Sequence, residues 1–299
     1  MEKVQLGQLE LSRLVMGHWR LAEWGLTSQE LLALTEKTIE LGITSYDHAD
    51  IYGNYSCEKL FGEALALNKG LRDRIQIITK CGIKLVSDKY PERKVKVYDY
   101  SFDHIISSVD NSLKHLGTDR IDLLLLHRPA PFFDPAEVSR AFTKLRTEGK
   151  VLHFGVSNFT SMQFSMLAAH VDMPLVTNQV EISPYCLEHF VNGNIDFFLK
   201  ENIKPMAWSP LAGGQLVKPE DEKAKRIFAE LKKVAEELGG CSVDEVIFAW
   251  LLNHPAGILP ILGTSKFDRV ALAAGALKLK LSLEQWYKIY IASTGSQLP

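Results

Sequence analysis

The 299-residue chain lacks the features that mark several large classes of protein. Its 34 Lys and Arg nearly balance 36 Asp and Glu, and no basic stripe stands out, which argues against nucleic acid as the main partner. No run approaches the roughly 18 uncharged apolar residues of a membrane-spanning helix, so no membrane insertion is expected. The first residues show no cationic segment followed by a long apolar run, so no signal peptide is expected either.

Cysteine is scarce and shows no metal-binding spacing. The four residues are Cys57, Cys81, Cys186 and Cys241, and no pair forms a C-x-x-C motif. This usage favours a reducing, cytoplasmic setting and predicts no metal site. Apolar residues make up 46% of the chain, which indicates a folded protein rather than a disordered one.

The chain does contain a regular alternation of short apolar runs with amphipathic helix patterns. An opening hairpin with Gly7 at its turn precedes eight strand candidates. These are RLVMG, ITSYD, IQIITK, IDLLLLH, VLHFGVS, PLVTNQVE, IKPMAWSP and GILPILG. Eight β/α units in about 250 residues predict a (β/α)8 TIM barrel. We expect one domain over residues 1–299, with an N-terminal β-hairpin and extra helices.

The alternative fold is a doubly wound open sheet. That fold usually carries a glycine-rich G-x-G-x-x-G turn after its first strand. Here the corresponding turn is MGHWRLAEWG, which has no such motif. The barrel is therefore favoured.

Polar side chains follow several of the predicted strands at the end where a barrel carries its chemistry. Asp47 and Tyr52 follow the second strand, Lys80 ends the third and His127 ends the fourth. Each residue alone has an ordinary structural explanation, as a turn, rim or core residue. Together they would converge on one mouth, where unpaired charge is expensive and Asp47 and Lys80 offset each other.

This group of residues suggests acid catalysis. A free tyrosine has a pKa of about 10, and a nearby ammonium is expected to lower the pKa of Tyr52 towards neutrality. Such a tyrosine is a competent general acid for a carbonyl oxygen, with His127 orienting that oxygen. Since the motifs offer no activated nucleophile, the attacking group is expected to come from a cofactor.

Several motifs resemble those of the aldo-keto reductases, and the resemblance covers nearly the whole chain. YDHADIYGNYSCEKLFGEAL is similar to the family's D-x-A-x-x-Y-G followed by E-x-x-x-G, and TKCG to its lysine strand end. DLLLLHRP is similar to the histidine strand, and GKVLHFGVSNF to the G-x-S-N-F stretch. TNQVEISP and AWSPLAGG are similar to the sixth and seventh strand ends. The forms are closest to bacterial oxidoreductases of unassigned substrate.

The resemblance implies NAD(P)H-dependent reduction of an aldehyde or ketone to an alcohol. Tyr52 would be the proton donor, with Lys80 and Asp47 as the charged pair that supports it, and His127 would orient the carbonyl. The family positions that contact the cofactor match Ser157, Asn158, Gln179, Trp208, Ser209, Leu211, Gly213, Gly263, Thr264, Ser265 and Arg269.

An Arg at position 269 favours NADPH over NADH, because a guanidinium binds phosphate bidentately. Two departures weaken that preference and leave NADH as an alternative. Gly263 and Thr264 stand where many members carry Lys-Ser, and Ala273 stands where many carry an Asn that contacts adenine.

The substrate is expected to be a small carbonyl compound held by loop residues, and the chain is expected to be a monomer. Trp19, Trp24, Tyr55 and Arg128 are the candidate substrate contacts, and a polar insert after the third strand could cover the site. Two other functions stay open. One is a nucleotide-sensing accessory protein with little turnover. The other is Schiff-base chemistry at Lys80, which the neighbouring Asp47 disfavours.

Overall fold

The computed structural model describes residues 1–298. Eight parallel strands close into one barrel in the order β10-β11-β12-β3-β4-β5-β8-β9. The predicted (β/α)8 fold is therefore confirmed and the open-sheet alternative is wrong. The chain divides into two compact units, Met1–Asn178 and Gln179–Pro299. The expectation of one domain over residues 1–299 stays a prediction.

All eight predicted barrel strands are present, and the opening hairpin precedes them. The strands are β1 (Lys3–Leu6), β2 (Leu9–Ser12), β3 (Val15–Gly17), β4 (Ser45–Asp47), β5 (Gln76–Cys81), β6 (Ile83–Lys84), β7 (Val97–Tyr98), β8 (Ile121–Leu126), β9 (Val151–Ser157), β10 (Leu175–Glu181), β11 (Met206–Trp208) and β12 (Leu259–Leu262). The antiparallel pairs are β1 with β2 and β6 with β7.

Helices separate the barrel strands. They are α1 (Ser28–Glu40), α2 (Tyr52–Tyr55), α3 (Cys57–Leu65), α4 (Phe102–Leu116), α5 (Pro135–Thr147), α6 (Ser161–Ala168), α7 (Glu188–Val191), α8 (Asn194–Lys200), α9 (Glu222–Glu237), α10 (Val243–Leu252), α11 (Phe267–Gly275) and α12 (Leu283–Thr294). Short 3-10 turns occur at Leu21–Glu23, Lys69–Arg74, Ala212–Gly214 and Ala276–Lys278. No helix within residues 1–298 is long and apolar enough to cross a bilayer.

In the first unit, strand register brings the polar strand ends to the same level. Asp47 at the end of β4 lies opposite Gly17 of β3 and Ile78 of β5. Lys80 on β5 lies opposite Leu125 of β8. The strands around them are buried on both faces, as parallel strands covered by helices usually are.

In the second unit, a ring cluster joins α10 and α12. Trp250 and Trp286 stack with their planes 7° apart, and their ring centroids lie 4.7 Å apart. Each indole N–H donates to the backbone oxygen of the other tryptophan at 3.1 Å. The two buried polar groups therefore satisfy each other, which locks α12 onto α10. Ser242 begins α10 with the predicted capping box.

The polar insert of residues 82–100 has secondary structure that the sequence did not predict. β6 and β7 pair at its two ends, with Ile83 opposite Tyr98. Tyr100 closes the insert: its hydroxyl donates to the backbone oxygen of Arg128 at 2.5 Å. Gly82 is required at the entrance, because a Cβ there would lie 1.9 Å from the Tyr100 ring.

Candidate active site

A buried ammonium lies at the centre of the candidate site. The Nζ of Lys80 lies 2.8 and 2.7 Å from the two carboxylate oxygens of Asp47, and both side chains are almost fully buried. The same ammonium donates to the backbone oxygen of His48 at 2.7 Å. It also lies within hydrogen-bond distance of the Tyr52 hydroxyl, at 3.1 Å. The ion pair expected from the sequence is present.

Burial and charge act in opposite directions on Lys80. Burial by itself lowers the pKa of the amine, because water no longer solvates the ammonium. The carboxylate of Asp47 and the hydroxyl of Tyr52 more than offset that, and the pKa of Lys80 is raised. Lys80 is therefore a permanent cation at neutral pH, which disfavours it as a Schiff-base nucleophile.

His127 faces the ring of Tyr52. Their centroids lie 5.8 Å apart, and the rings meet edge to face at 78°. Burial, with the cations Lys80 and Arg128, holds the pKa of His127 well below its ordinary value. The imidazole is therefore neutral. Among the described residues, its buried Nδ1 has no hydrogen-bond partner, so the ring keeps hydrogen-bonding capacity for a ligand.

The expected direction of the Tyr52 pKa shift is wrong. Burial raises the pKa of Tyr52 above 10, and the lowering by Lys80 does not offset it. Asp47 adds a negative charge that also raises it. The phenol is thus fully protonated at neutral pH. The ammonium 3.1 Å away then stabilises the phenolate only as the proton leaves.

Two histidines that the sequence analysis overlooked support the charged pair. Nδ1 of His18 lies 3.0 Å from Nε2 of His48, and both rings are buried. The backbone N–H of His18 also donates to the backbone oxygen of Asp47 at 2.9 Å. These contacts tie the end of β3 to the end of β4, where the acceptors of Lys80 lie. The signal in the sequence was His48 itself, inside the YDHADIYG stretch.

A buried carboxyl behind β5 was also missed. Glu58 on α3 accepts a hydrogen bond from Thr79 at 2.5 Å and is 2% exposed. Burial raises the pKa of Glu58 to about 7. Burial, followed by the nearby Glu58, also raises the pKa of Asp50 well above its ordinary range. The signal in the sequence was the E-x-x-x-G match that begins at Glu58, but it did not indicate that this carboxyl is buried.

The candidate substrate residues occupy four different settings in the first unit. Trp19 is 60% exposed, and Trp24 packs edge-on against His18 at 5.6 Å. The hydroxyl of Tyr55 is engaged by the insert rather than free. The charge of Arg128 acts on both Tyr52 and His127. Of the four, only Arg128 is shown to act electrostatically on the acid residues.

The first unit also carries two of the candidate cofactor residues. Ser157 is buried at the end of β9, and the amide nitrogen of Asn158 donates to its hydroxyl at 2.8 Å. Asn158 adopts a left-handed conformation with φ of +62°. A hydroxyl beside an amide, at a strand end, has the donors and acceptors that a nicotinamide carboxamide requires.

In the second unit, the loop after β11 has backbone suited to a pyrophosphate. Ser209, Ala212, Gly213 and Gly214 have φ of +50°, +51°, +68° and +107°. A Cβ on either glycine would meet nothing within 4 Å, so the backbone there is open to approach. Runs of right- and left-handed residues form concave anion sites from backbone N–H groups. The loop therefore fits a dinucleotide.

The other candidate cofactor residues of the second unit lie at strand ends and at the start of α11. Gln179 is buried on β10 and pairs in register with Met206, while Trp208 ends β11. After β12, the hydroxyl of Thr264 accepts the N–H of Lys266 at 3.1 Å. The exposed Arg269 lies near enough to Asp244 to lower its pKa, although burial raises that pKa overall.

Within residues 1–298, no group of three or more His, Cys, Asp or Glu side chains is arranged to hold a metal ion. A parallel barrel whose strand ends carry a buried Asp–Lys pair, a protonated tyrosine and a neutral histidine is the framework of an acid-catalysing enzyme.

Comparison with known proteins identifies the family. The Aldo/keto reductase family model matches residues 13–293. The uncharacterized oxidoreductase YcsN of Bacillus subtilis is 48% identical over the full length of both chains. A 6-dehydroglucose reductase of Agrobacterium fabrum is 40% identical, also over the full length of both.

A solved structure agrees with these sequence matches. The thermostable aldo-keto reductase Tm1743, in complex with the inhibitor epalrestat, superposes with a TM-score of 0.81 at 25% identity. The match covers 98% of this chain and 100% of that one. The chain belongs to the aldo/keto reductase family. It is an oxidoreductase of a family that uses nicotinamide cofactors, typically to reduce carbonyl compounds with NADPH.

Proposed function

We propose that the protein reduces the carbonyl group of a small aldehyde or ketone, with Tyr52 as the proton donor. The observation that carries the proposal is the 3.1 Å contact between the buried Lys80 ammonium and the hydroxyl of the part-buried Tyr52. Burial keeps the phenol protonated, and the adjacent cation favours the phenolate once the proton has moved. That combination suits an acid that must release its proton to a developing alkoxide.

The chain's own residues bind the carbonyl and move one proton. A reduced nicotinamide, held by the cofactor residues, would supply a hydride. His127, as a neutral imidazole, donates a hydrogen bond that orients the carbonyl oxygen. Tyr52 transfers its hydroxyl proton to that oxygen, and Lys80 stabilises the resulting phenolate. Asp47 keeps Lys80 charged and in place. A proton from solvent then restores the phenol of Tyr52.

We assign the cofactor contacts residue by residue. In the first unit, Ser157 and Asn158 hold the nicotinamide carboxamide. In the second unit, the proposed contacts are Gln179 for the carboxamide group, Trp208 for the nicotinamide ring, Ser209, Leu211 and Gly213 for the pyrophosphate, and Gly263, Thr264, Ser265 and Arg269 for the adenosine phosphate. The exposed guanidinium of Arg269 supports NADPH over NADH.

A polyhydroxylated aldehyde is the substrate that we would test first. The support is the 40% identity to a 6-dehydroglucose reductase over the full length of both chains. We place the enzyme in the cytoplasm, since its four free cysteines suit a reducing compartment, and we expect a monomer.

Turnover in the wild type and in Tyr52→Phe tests the proposal. NADPH and NADH oxidation are measured with 6-dehydroglucose, simple aldehydes, ketones and dicarbonyls. We expect Tyr52→Phe to lower kcat by at least ~100-fold, the usual contribution of a general acid. Tyr287→Phe, a surface tyrosine, is the matched control and should keep wild-type rates.

Two outcomes would contradict the proposal. Retained turnover in Tyr52→Phe would exclude that residue as the proton donor. Tight NADPH binding by the wild type, without turnover of any carbonyl in the panel, would favour the nucleotide-sensing function instead.

A further inference from the structure

The turn after Tyr52 has a backbone conformation that side chains rarely adopt. φ is +56° at Gly53, +52° at Asn54 and +62° at Tyr55. Glycine and asparagine tolerate the left-handed region, but a bulky tyrosine there is an outlier, because its Cβ crowds the following carbonyl. Such a conformation persists only where surrounding contacts hold it.

Residues of the insert, 82–100, form hydrogen bonds with both the nitrogen and the oxygen of the Asn54 side-chain amide. Nδ2 of Asn54 donates to the carboxylate of Asp88 at 2.8 Å. The hydroxyl of Ser87 donates to Oδ1 of Asn54 at 2.7 Å. The amide of Asn54 therefore binds the insert through both its nitrogen and its oxygen.

The insert holds Tyr55 in the same way. The hydroxyl of Tyr55 accepts the backbone N–H of Leu85 at 2.9 Å and a guanidinium N–H of Arg93 at 2.8 Å. Arg93 is itself fixed, because its guanidinium lies 3.6 Å from the ring centroid of Tyr90. The Nζ of Lys89 also donates to the backbone oxygen of Tyr55 at 3.4 Å, so Asn54 makes two hydrogen bonds to the insert and Tyr55 makes three.

The same turn carries the hydroxyl that the proposed reaction uses. The N–H of Tyr52 donates to the oxygen of Ala49, and the N–H of Ser56 donates to the oxygen of Tyr52. A shift of the turn therefore moves the Tyr52 hydroxyl relative to Lys80. We propose that the insert is a positioning clamp for Tyr52, formed by Ser87, Asp88 and Arg93 with the Leu85 N–H. The inference rests on the proposed function.

Two variants open the clamp from different sides. Tyr55→Phe removes the hydroxyl that Leu85 and Arg93 bind, and Asp88→Ala removes the acceptor of Asn54. Tyr90→Phe is the matched control, since it keeps the ring beneath Arg93. We would measure kcat, KM for three carbonyls of different size, and the pH profile of alcohol oxidation.

Loss of the clamp should act on the acid rather than on substrate binding. We expect both variants to lower kcat about 10-fold, since ångström-scale misplacement of a reacting group costs up to ~100-fold. KM should change by less than about twofold for all three carbonyls. Alcohol oxidation, which requires the phenolate, should begin at higher pH, because Tyr52 is further from the ammonium.

Wild-type kcat and pH profile in both variants would overturn the clamp. So would a KM that rises for some carbonyls only, which would make Tyr55 a substrate contact. Asp88 is exposed, so Asp88→Ala decides the question if Tyr55→Phe does not fold. Tyr52→Phe is assayed in parallel. Lost turnover in Tyr52→Phe with wild-type kcat in the clamp variants overturns the clamp alone. Retained turnover in Tyr52→Phe instead overturns the proposed proton-donor role of Tyr52.

Discussion

Replacing Lys80 with methionine tests how the buried charges contribute to stability. The substitution removes the ammonium from a side chain that is 1% exposed and leaves Asp47, 3% exposed, without its counter-ion. Removing one partner of a buried ion pair costs about 3–5 kcal/mol. At roughly 2 °C per kcal/mol for a chain of this size, Lys80→Met should lower Tm by about 6–10 °C.

The double variant makes the prediction sharp. Asp47→Asn together with Lys80→Met removes both charges, so no uncompensated ion stays buried. We therefore expect the double variant to be more stable than Lys80→Met alone, because the cost lies in the orphaned carboxylate rather than in the lost attraction. Both variants should be catalytically inactive, since each lacks Lys80. Stability is therefore measured by unfolding and not by turnover.

A double-mutant cycle is obtained from the thermal and urea unfolding of Lys80→Met, Asp47→Asn and the double variant. A control variant is unfolded in parallel. The control is Lys59→Met, since Lys59 forms an exposed pair with Glu63 at 3.8 Å. That substitution should cost less than about 1 kcal/mol. A double variant whose loss equals the sum of the two single losses would refute the reasoning.

Three further predictions concern pH and packing. The kcat of carbonyl reduction should be nearly constant between about pH 6 and 9, because burial keeps Tyr52 protonated and His127 neutral across that range. A steady-state profile in which kcat falls near pH 7–8 would contradict this. Glu58→Gln should remove a pH dependence of stability. The raised pKa of Glu58, about 7, stabilises the fold below about pH 4.5, and this contribution is lost as pH rises through 7. Urea unfolding should therefore show the variant gaining about 2–3 kcal/mol on the wild type between pH 5 and 8, and parallel curves would contradict it. Gly62→Ala should cost about 2–3 kcal/mol in the same assay, because the added Cβ would lie 2.1 Å from a backbone oxygen of α4. The control Gly70→Ala should be close to neutral, since no atom lies nearer than 3.7 Å to its added Cβ. Equal losses in the two variants would refute the packing argument.

Periodicity was sufficient for the barrel. Seven of the eight strands fall within their predicted runs, and β5 extends one residue beyond its run, to Cys81. Buried parallel strands read as continuous apolar segments, and the helix caps Thr27 and Ser242 are local signals. The insert was different. β6 and β7 are two residues each, too short to leave a periodic pattern, and they pair across a gap of twelve residues, 85–96.

The candidate site divides in the same way. The order of the strand ends along the sequence predicted that Asp47, Lys80, Tyr52 and His127 lie together, because the carboxyl ends of parallel strands share one side of a barrel. The structure has these contacts. The direction of the Tyr52 pKa shift was wrong, since the sequence shows a neighbouring cation but not the depth of burial that outweighs it. The cofactor and substrate roles stay predictions.

By itself, the sequence determined the eight barrel strands, the helix caps at Thr27 and Ser242, and which residue types reach the strand ends. These properties depend on neighbours within a few residues along the chain. Tertiary structure alone decided that the backbone oxygen of His48 accepts a hydrogen bond from Lys80, that Glu58 is buried, and that the insert binds the turn after Tyr52. Those contacts join residues about 20 to 35 positions apart, and their strength depends on exclusion of water, which exists only once the chain has folded.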